Sequence, residues 1–271
     1  YEEVVSRFSS RAMAPYTVDT TLEDGTAYKK TYGLPETQNF EMMFYRTDIF
    51  AELGIKAPNT WDEFDAILPV IQSNNMTVGL NQNTGGGMFF TLIQQKDGLI
   101  YTPDGSKTCF TEQYAVDAFT KSTAYYRMFA FPLTYSFYTR FRSGEMPLAF
   151  QPYSQATFIE ESAPELRGLW AMAPVPGTLD KNGKLNRTEE SSGLTASIII
   201  KSIAKSEAKR KQEQDDSWTF IKWWTSADIA AQYGKRVEMA IGPVARYTTA
   251  NLEAFDMIGW DHEHAVSIKA Q

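Results

Sequence analysis

Short apolar runs alternate with capped helical segments along most of this chain, and this alternation constrains the fold more than any other feature. Thr60 and Glu63 form a capping box before a helical run over residues 61–72, because each side chain can satisfy a free backbone N–H. Pro69 lies inside that run and predicts a kink or an early end. Further along, Ser226 predicts the start of another helix and Gly234 its end. Apolar runs of strand length occur at residues 148–150, 169–173 and 194–200. Strands that alternate with helices predict an α/β protein.

Composition excludes several classes of protein. A chain of 271 residues, 43% of them hydrophobic, can bury a large core without disulfides, and its single cysteine, Cys109, cannot form an internal one. The net charge of −7 argues against a nucleic-acid partner, since such binding depends on neutralising phosphates. No apolar run approaches the length of a membrane-spanning helix. We therefore expect a folded protein of one large or two modest domains.

A search for catalytic motifs finds none. The glycines at residues 85–87 lack the Lys-Ser/Thr pair of a phosphate-binding loop, and Cys109 has no histidine near it in sequence. His262 and His264, flanked by carboxylates, could ligate a divalent metal, but terminal polar segments are usually solvated. We predict no catalytic residue, no metal and no cofactor.

Aromatic residues beside turns and polar groups are the remaining functional signal. Aromatic faces stack on sugar rings while amides and carboxylates bind the hydroxyl groups, so this placement suits carbohydrate recognition. Core packing is the alternative, and it is favoured for Trp170, Trp218 and Trp224. For Tyr153, which follows Pro152 at a strand end, both interpretations stay open.

An ordered series of segments resembles the extracellular solute-binding proteins of ABC importers, in the family that includes maltose-binding protein. The resemblance covers about residues 32–247, and no single motif in it is strong. The segments that carry it are Tyr32-Gly33-Leu34-Pro35, residues 43–54, 58–64, 141–150, 170–177 and 218–226, and Gly242-Pro243.

The resemblance implies a periplasmic-binding-protein-like type II fold, with two lobes and an interlobe cleft that closes on a ligand. Relatives carry a further stretch of chain in lobe one, so we expect that lobe to be incomplete here and the chain to self-associate. Residues 1–41 and 174–242 are expected to form lobe one. Residues 42–173 and 243–271 are expected to form lobe two.

The same resemblance implies the ligand site. Polar side chains after Leu34-Pro35 should face the cleft, an aromatic contact should lie at the start of the helix after the glycines, and Tyr153 should stack on a ligand ring. The ligand-binding residues expected on this basis are Gln38, Asn39, Met88, Phe89, Gln151, Tyr153, Ser192 and Gly193.

The functional hypothesis is an extracellular binding protein without enzymatic activity. It captures a carbohydrate, specifically an oligosaccharide, and delivers it to an ABC permease. We expect it in the periplasm or on the cell surface, held at the membrane only by a lipid anchor outside this chain. Two alternatives stay open. One is a glycan-processing enzyme that uses cleft carboxylates, and the other is a ligand-sensing domain on the same fold.

Overall fold

The computed structural model describes residues 2–21, 25–80, 87–180, 182–188 and 192–271. These residues form two compact units: unit 1 contains Tyr1–Asn39 and Gly193–Asp261, and unit 2 contains Phe40–Ser192 and His262–Gln271. The chain leaves unit 1 after Asn39, close to the crossing point that the resemblance implies. Among the described residues, no helix has both the length and the apolar character that crossing a membrane requires.

Unit 2 is built on a four-stranded sheet with the order β5-β6-β4-β7. Strands β5 and β6 are parallel, and β4 runs antiparallel to both β6 and β7. The strands of this sheet are β4 (Glu41–Arg46), β5 (Val78–Gly79), β6 (Leu148–Pro152) and β7 (Trp170–Ala173). A hairpin of β8 (Thr178–Leu179) and β9 (Leu185–Asn186) completes the strands of unit 2.

Helices cover both faces of the sheet. On one face, Phe64 lies in the aromatic core with Trp61, Tyr125 and Phe150. On the other face, the Phe44 ring stacks on Trp170 and meets Phe137 edge-on. The helices of unit 2 are α3 (Thr47–Glu52), α4 (Trp61–Ser73), α5 (Gly87–Gln95), α6 (Gln113–Met128), α7 (Phe137–Ser143), α8 (Gln155–Ser162) and α12 (His262–Ala270).

Unit 1 contains smaller sheets within the described residues. Strands β1 (Thr17–Thr21) and β2 (Ala27–Thr31) form one pair, and β3 (Gly33–Asn39) and β10 (Ser192–Ile198) form another. Its core packs Phe8, Leu34 and Ile221 together. The helices of unit 1 are α1 (Glu2–Val5), α2 (Ser10–Met13), α9 (Glu207–Trp224), α10 (Ala227–Ile241) and α11 (Leu252–Ile258).

The compact units divide the chain differently from the expected lobes at two places. Residues 174–192 belong to unit 2. The Gln95 side chain accepts a hydrogen bond from the Thr178 hydroxyl at 2.9 Å, and the Gln95 backbone carbonyl accepts one from the Asn186 side chain at 3.0 Å. Residues 243–261 belong to unit 1, where Arg246 pairs with Glu238 at 2.7 Å. The Gln95 contacts join residues that are far apart in the sequence, whereas Arg246 and Glu238 are eight positions apart.

Two helix ends also differ from expectation. Pro69 does not end α4, which continues to Ser73. Proline has no N–H to donate to the carbonyl one turn earlier, but Pro69 is exposed, so that carbonyl can bond to water. Gly234 was expected to end its helix, yet α10 continues to Ile241. A Cβ at position 234 would lie 2.9 Å from the Cβ of Tyr247, so this glycine permits close packing instead.

Candidate functional site

One edge of the unit-2 sheet collects the ends of several strands. Because β5, β6 and β7 share one direction and β4 runs against them, the last residues of those three strands and the first residue of β4 meet at this edge. In the pairing register, Glu41 lies opposite Pro152 and Met42 opposite Gln151. Ligands of open α/β sheets bind beyond the carboxyl ends of the parallel strands. This edge is therefore the candidate site.

Polar side chains are concentrated at this edge. The Gln151 amide donates a hydrogen bond to the Tyr135 hydroxyl at 3.0 Å, and that hydroxyl donates to the carbonyl of Leu80 at 2.6 Å. The Glu41 carboxylate is buried at the start of β4. We call Glu41, Tyr135, Gln151 and the Leu80 carbonyl the sheet-edge cluster. Carboxylate, amide, hydroxyl and carbonyl groups together suit a ligand with several hydroxyl groups.

The Tyr135 hydroxyl stays protonated at neutral pH. Burial raises its pKa well above the ordinary value, the nearby Glu41 charge raises it further, and the hydrogen bond from Gln151 partly opposes the shift. A neutral hydroxyl keeps its proton for hydrogen bonding. Tyr135 therefore acts as a donor in the cluster and not as a base.

Apolar side chains lie directly beside the cluster. Glu41 shares the lining of a cavity of about 10 Å³ with Trp61, Leu80, Met88 and Phe150. This volume is far below the roughly 300–1,000 Å³ of a ligand pocket. The described part of unit 2 thus offers a binding surface at this edge and does not enclose a ligand.

Three of the residues expected to bind ligand, Met88, Phe89 and Gln151, lie at or next to this edge. Met88 and Phe89 are half-buried in the first turn of α5, and Gln151 belongs to the cluster. A flexible turn is expected at residues 81–87, and residues 81–86 of it lie outside the described residues.

Tyr153 takes a different position from the one expected. It is 1% exposed, and its ring lies 4.9 Å from that of Phe40. A ring this buried presents no open face to a sugar, so the stacking role is not available in this conformation.

The other expected site residues divide between the end of β3 and the start of β10. Gln38 and Asn39 are half-buried, and the Gln38 N–H donates to the carbonyl of Thr248 at 2.9 Å. Ser192 and Gly193 open β10, and their side-chain surroundings lie outside the described part of the chain.

The histidines also depart partly from expectation. His262 is exposed, as in a solvated segment. His264 instead stacks on Trp170, with ring centres 4.9 Å apart, and its Nδ1 lies 3.1 Å from Glu160. His264 thus helps α12 to pack on the sheet of unit 2.

Sequence reasoning missed Glu41 and Tyr135. Glu41 carries a weak signal, since it is a carboxylate that opens an apolar strand. Tyr135 lies between α6 and α7 without any local motif. Only the pairing of β4 with β6 and the course of the chain after α6 place these residues beside Gln151.

Comparison with solved structures shows the fold. The sugar-binding protein MalE from Xanthomonas citri aligns with a TM-score of 0.66 and 18% identity, over 93% of this chain and 62% of that one. An ABC transporter solute-binding protein from Thermotoga lettingae, bound to α-D-tagatose, aligns at 0.63 and 16%, over 99% and 65%. The GacH receptor of Streptomyces glaucescens, solved unliganded and with acarbose, aligns at 0.62 and 17%, over 97% and 62%. This chain thus spans less than two thirds of each of these structures.

Sequence comparison adds one local match and one that covers most of the chain. The multiple sugar-binding protein of Streptococcus mutans is 39% identical over 49 residues, which are 18% of this chain and 12% of that protein. The family model described as bacterial extracellular solute-binding protein matches residues 7–254. That match covers most of the chain and agrees with the fold, and the chain therefore belongs to the bacterial extracellular solute-binding protein family.

Proposed function

We propose that this protein captures an oligosaccharide and delivers it to the permease of an ABC importer, without changing the sugar chemically. The observation that carries the proposal is the sheet-edge cluster beside the aromatic start of α5. Glu41, Gln151 and Tyr135 offer hydrogen bonds to hydroxyl groups, while Met88 and Phe89 offer apolar surface to the face of a sugar ring.

The comparisons support a sugar as the ligand class. Structures that share the fold are described in complex with α-D-tagatose, acarbose and maltose, and the local sequence match is to a multiple sugar-binding protein. The fold also occurs in UgpB from Mycobacterium tuberculosis, described in complex with glycerophosphocholine. That compound is therefore the appropriate competing ligand in a test.

We further propose that the protein acts outside the cytoplasmic membrane, either in the periplasm or on the cell surface, where a lipid anchor holds it. Membership in an extracellular family supports this location. The glycan-processing alternative requires carboxylates placed to cleave a glycosidic bond, and the cluster contributes one, Glu41. A single carboxylate next to an amide and a neutral phenol favours binding over hydrolysis.

Isothermal titration calorimetry with malto-, xylo- and manno-oligosaccharides, and with glycerophosphocholine, tests the proposal. We expect heat of binding with one sugar series and no shorter sugars in the same samples by chromatography. Gln151→Leu should weaken that binding about tenfold, because it removes the amide of the cluster. Gln94→Leu, at a half-buried glutamine of α5 outside the cluster, is the matched control.

Binding of glycerophosphocholine alone would overturn the sugar assignment. Release of shorter sugars by the pure protein would overturn the proposal that it performs no chemistry.

A further inference from the structure

A histidine and two carboxylates meet where α12 lies against α8. The Nδ1 atom of His264 lies 3.1 Å from a carboxylate oxygen of Glu160, on α8. Asp261 directly precedes α12, three positions before His264 in the chain. Each of these three side chains offers one ligand atom, and the three atoms all lie within 4.8 Å of one another. We call Glu160, Asp261 and His264 the α12 cluster.

The sheet of unit 2 orients the imidazole of the cluster. The His264 ring stacks on Trp170 of β7, with ring centres 4.9 Å apart, and the Trp170 ring stacks in turn on Phe44 of β4. The His264 side chain is only 13% exposed, and the Glu160 side chain is half-buried. A ligand whose rotamer is already fixed by packing loses little freedom when it binds a metal. The cluster thus combines an oriented imidazole with a carboxylate beside it.

The separation of the two nearest ligand atoms fits a shared ion. Bonds from one Zn²⁺ ion to imidazole nitrogen and to carboxylate oxygen are each about 2.0–2.2 Å long, and at octahedral or tetrahedral angles they place the bound atoms about 2.8–3.5 Å apart. The Nδ1 atom of His264 and the oxygen of Glu160 are 3.1 Å apart, within this interval. One ion can therefore bond both atoms without changing their separation.

The charge of the cluster favours a dication over a proton. The separation of His264 and Glu160 also suits a direct ion pair with a protonated imidazole. The ionised carboxylates of Glu160 and Asp261, however, carry two negative charges, and a proton on the imidazole neutralises one of them. A divalent ion bound to the neutral imidazole neutralises both. The second carboxylate therefore favours a metal site over a simple ion pair.

The donor atoms of the cluster indicate which kind of ion it takes. Imidazole nitrogen suits Zn²⁺ and its transition-metal neighbours, whereas Ca²⁺ and Mg²⁺ prefer sites made of oxygen alone. His262, which the sequence places beside His264 as a further possible ligand, is exposed, and the cluster does not contain it. The structure thus separates two histidines that the sequence alone treats alike.

We propose that the α12 cluster binds a divalent transition-metal ion of the Zn²⁺ type. The ion bonds Nδ1 of His264 and one carboxylate oxygen each of Glu160 and Asp261, water completes its coordination, and the start of α12 is thereby fastened to α8. Trp170, which orients His264, is the first residue of β7, whereas the sheet-edge cluster lies at the opposite end of that strand. The inference is therefore separate from the proposed function.

Calorimetric titration with zinc chloride, after treatment of the chain with EDTA and dialysis, tests the site. We expect the unmodified chain to bind Zn²⁺. His264→Phe keeps an aromatic ring against Trp170 but removes the nitrogen ligand, and Glu160→Gln removes one carboxylate. Loss of even an outer-shell partner costs about 10–100-fold in metal affinity, so each variant should bind Zn²⁺ at least about tenfold more weakly. Zinc should also raise the unfolding temperature of the unmodified chain, and should do so less for the two variants.

Two neighbouring residues provide matched controls. His262→Gln and Glu161→Gln change an exposed histidine of α12 and an exposed carboxylate of α8, and they should leave the zinc affinity unchanged. The proposal is overturned if the unmodified chain binds no zinc, if His264→Phe and Glu160→Gln bind it as tightly as the unmodified chain, or if His262→Gln weakens binding as much as His264→Phe. Urea unfolding in EDTA shows whether each variant is folded. Sugar titrations of the zinc-free chain test the proposed function independently, so either proposal can fail while the other stands.

Discussion

The side-chain amide of Gln151 donates a hydrogen bond to the hydroxyl of Tyr135 at 3.0 Å, and this contact joins the end of β6 to the loop before α7. The same hydroxyl donates to the carbonyl of Leu80 at 2.6 Å, just beyond β5. A Cβ at Gly79 would lie 2.7 Å from the Tyr135 hydroxyl, so the absence of a side chain at Gly79 leaves room for it. One phenol therefore fixes the relative positions of two strand ends at the candidate site.

Tyr135→Phe should weaken both the fold and ligand binding. The change removes the hydroxyl that bonds Gln151 and Leu80, so the free energy of unfolding should fall by about 1–2 kcal/mol. Sugar affinity should fall as well, because the Gln151 amide loses the partner that orients it. Urea unfolding and calorimetry measure the two effects. Tyr101→Phe, at a residue 58% exposed, is the control, and equal behaviour of the two variants would contradict the role of Tyr135.

Tyr153→Ala should act mainly on stability. The side chain is 1% exposed and packs on Phe40, so its loss should lower the free energy of unfolding by about 3–5 kcal/mol. Tyr153→Phe keeps the ring and should retain most of the stability. If Tyr153→Ala unfolded at the same urea concentration as the unmodified chain but bound sugar poorly, the stacking role would be supported and the core assignment would fail.

The ion pair of Arg46 with Asp48 should make stability depend on pH in the acid range. Arg46 donates to both carboxylate oxygens of Asp48, at 2.8 and 2.6 Å, and to the carbonyls of Phe141 and Arg142 at the end of α7. Its hydrogen bonds hold the pKa of Asp48 below the ordinary 3.8. The ionised carboxylate thus stabilises the folded state above about pH 4, and this contribution is lost as the pH falls through the lowered pKa.

Asp48→Asn should therefore lower the free energy of unfolding by about 1 kcal/mol near pH 7, and the difference from the unmodified chain should shrink as the pH falls through the lowered pKa of Asp48. Urea unfolding at a series of pH values measures it. Glu52→Gln, at an exposed carboxylate of the same helix, is the control. A difference that stayed constant down to the lowest pH would show that the Asp48 charge contributes nothing.

Self-association should involve an open groove of unit 1. This groove has a volume of about 1670 Å³, and its lining includes Leu34, Trp218, Ile200 and Ile203, of which the last two are 80% and 100% exposed. Light scattering over a range of concentrations should show dimers, and Ile200→Asp with Ile203→Asp should shift the chain to monomers. Met239→Asp, at a residue 87% exposed on α10, should not. Monomers of the unmodified chain at every concentration would contradict this prediction.

Local sequence patterns predicted which helices and strands form better than they predicted where helices end or which residues pack together. The capping box of Thr60 and Glu63 correctly placed the start of α4, because both partners lie within one turn. The prediction that Gly234 ends its helix was wrong. Only a residue without a side chain fits there, because the helix packs closely against Tyr247, thirteen positions further along the chain. Pro69 does not end its helix early, and its exposure to solvent depends on tertiary packing that the local sequence does not show.

The candidate site was predictable only in part, for the same reason. Met88, Phe89 and Gln151 lie at a helix start and a strand end, which sequence patterns identify. Strand pairing and tertiary contacts bring Glu41 and Tyr135 beside these residues, and no local sequence pattern indicates those contacts. The burial of Tyr153 likewise depends on Phe40, a residue that lies much earlier in the chain.

The order in which unit 2 is assembled has a consequence for synthesis on the ribosome. Its last segment, His262–Gln271, follows the whole of Gly193–Asp261 in the chain, although α12 packs on β7 and the Gln271 side chain bonds both Val175 and Arg187. Until this segment emerges, Trp170 lacks the ring of His264 against which it stacks. Unit 2 can therefore complete this packing only after the intervening residues of unit 1 have been translated.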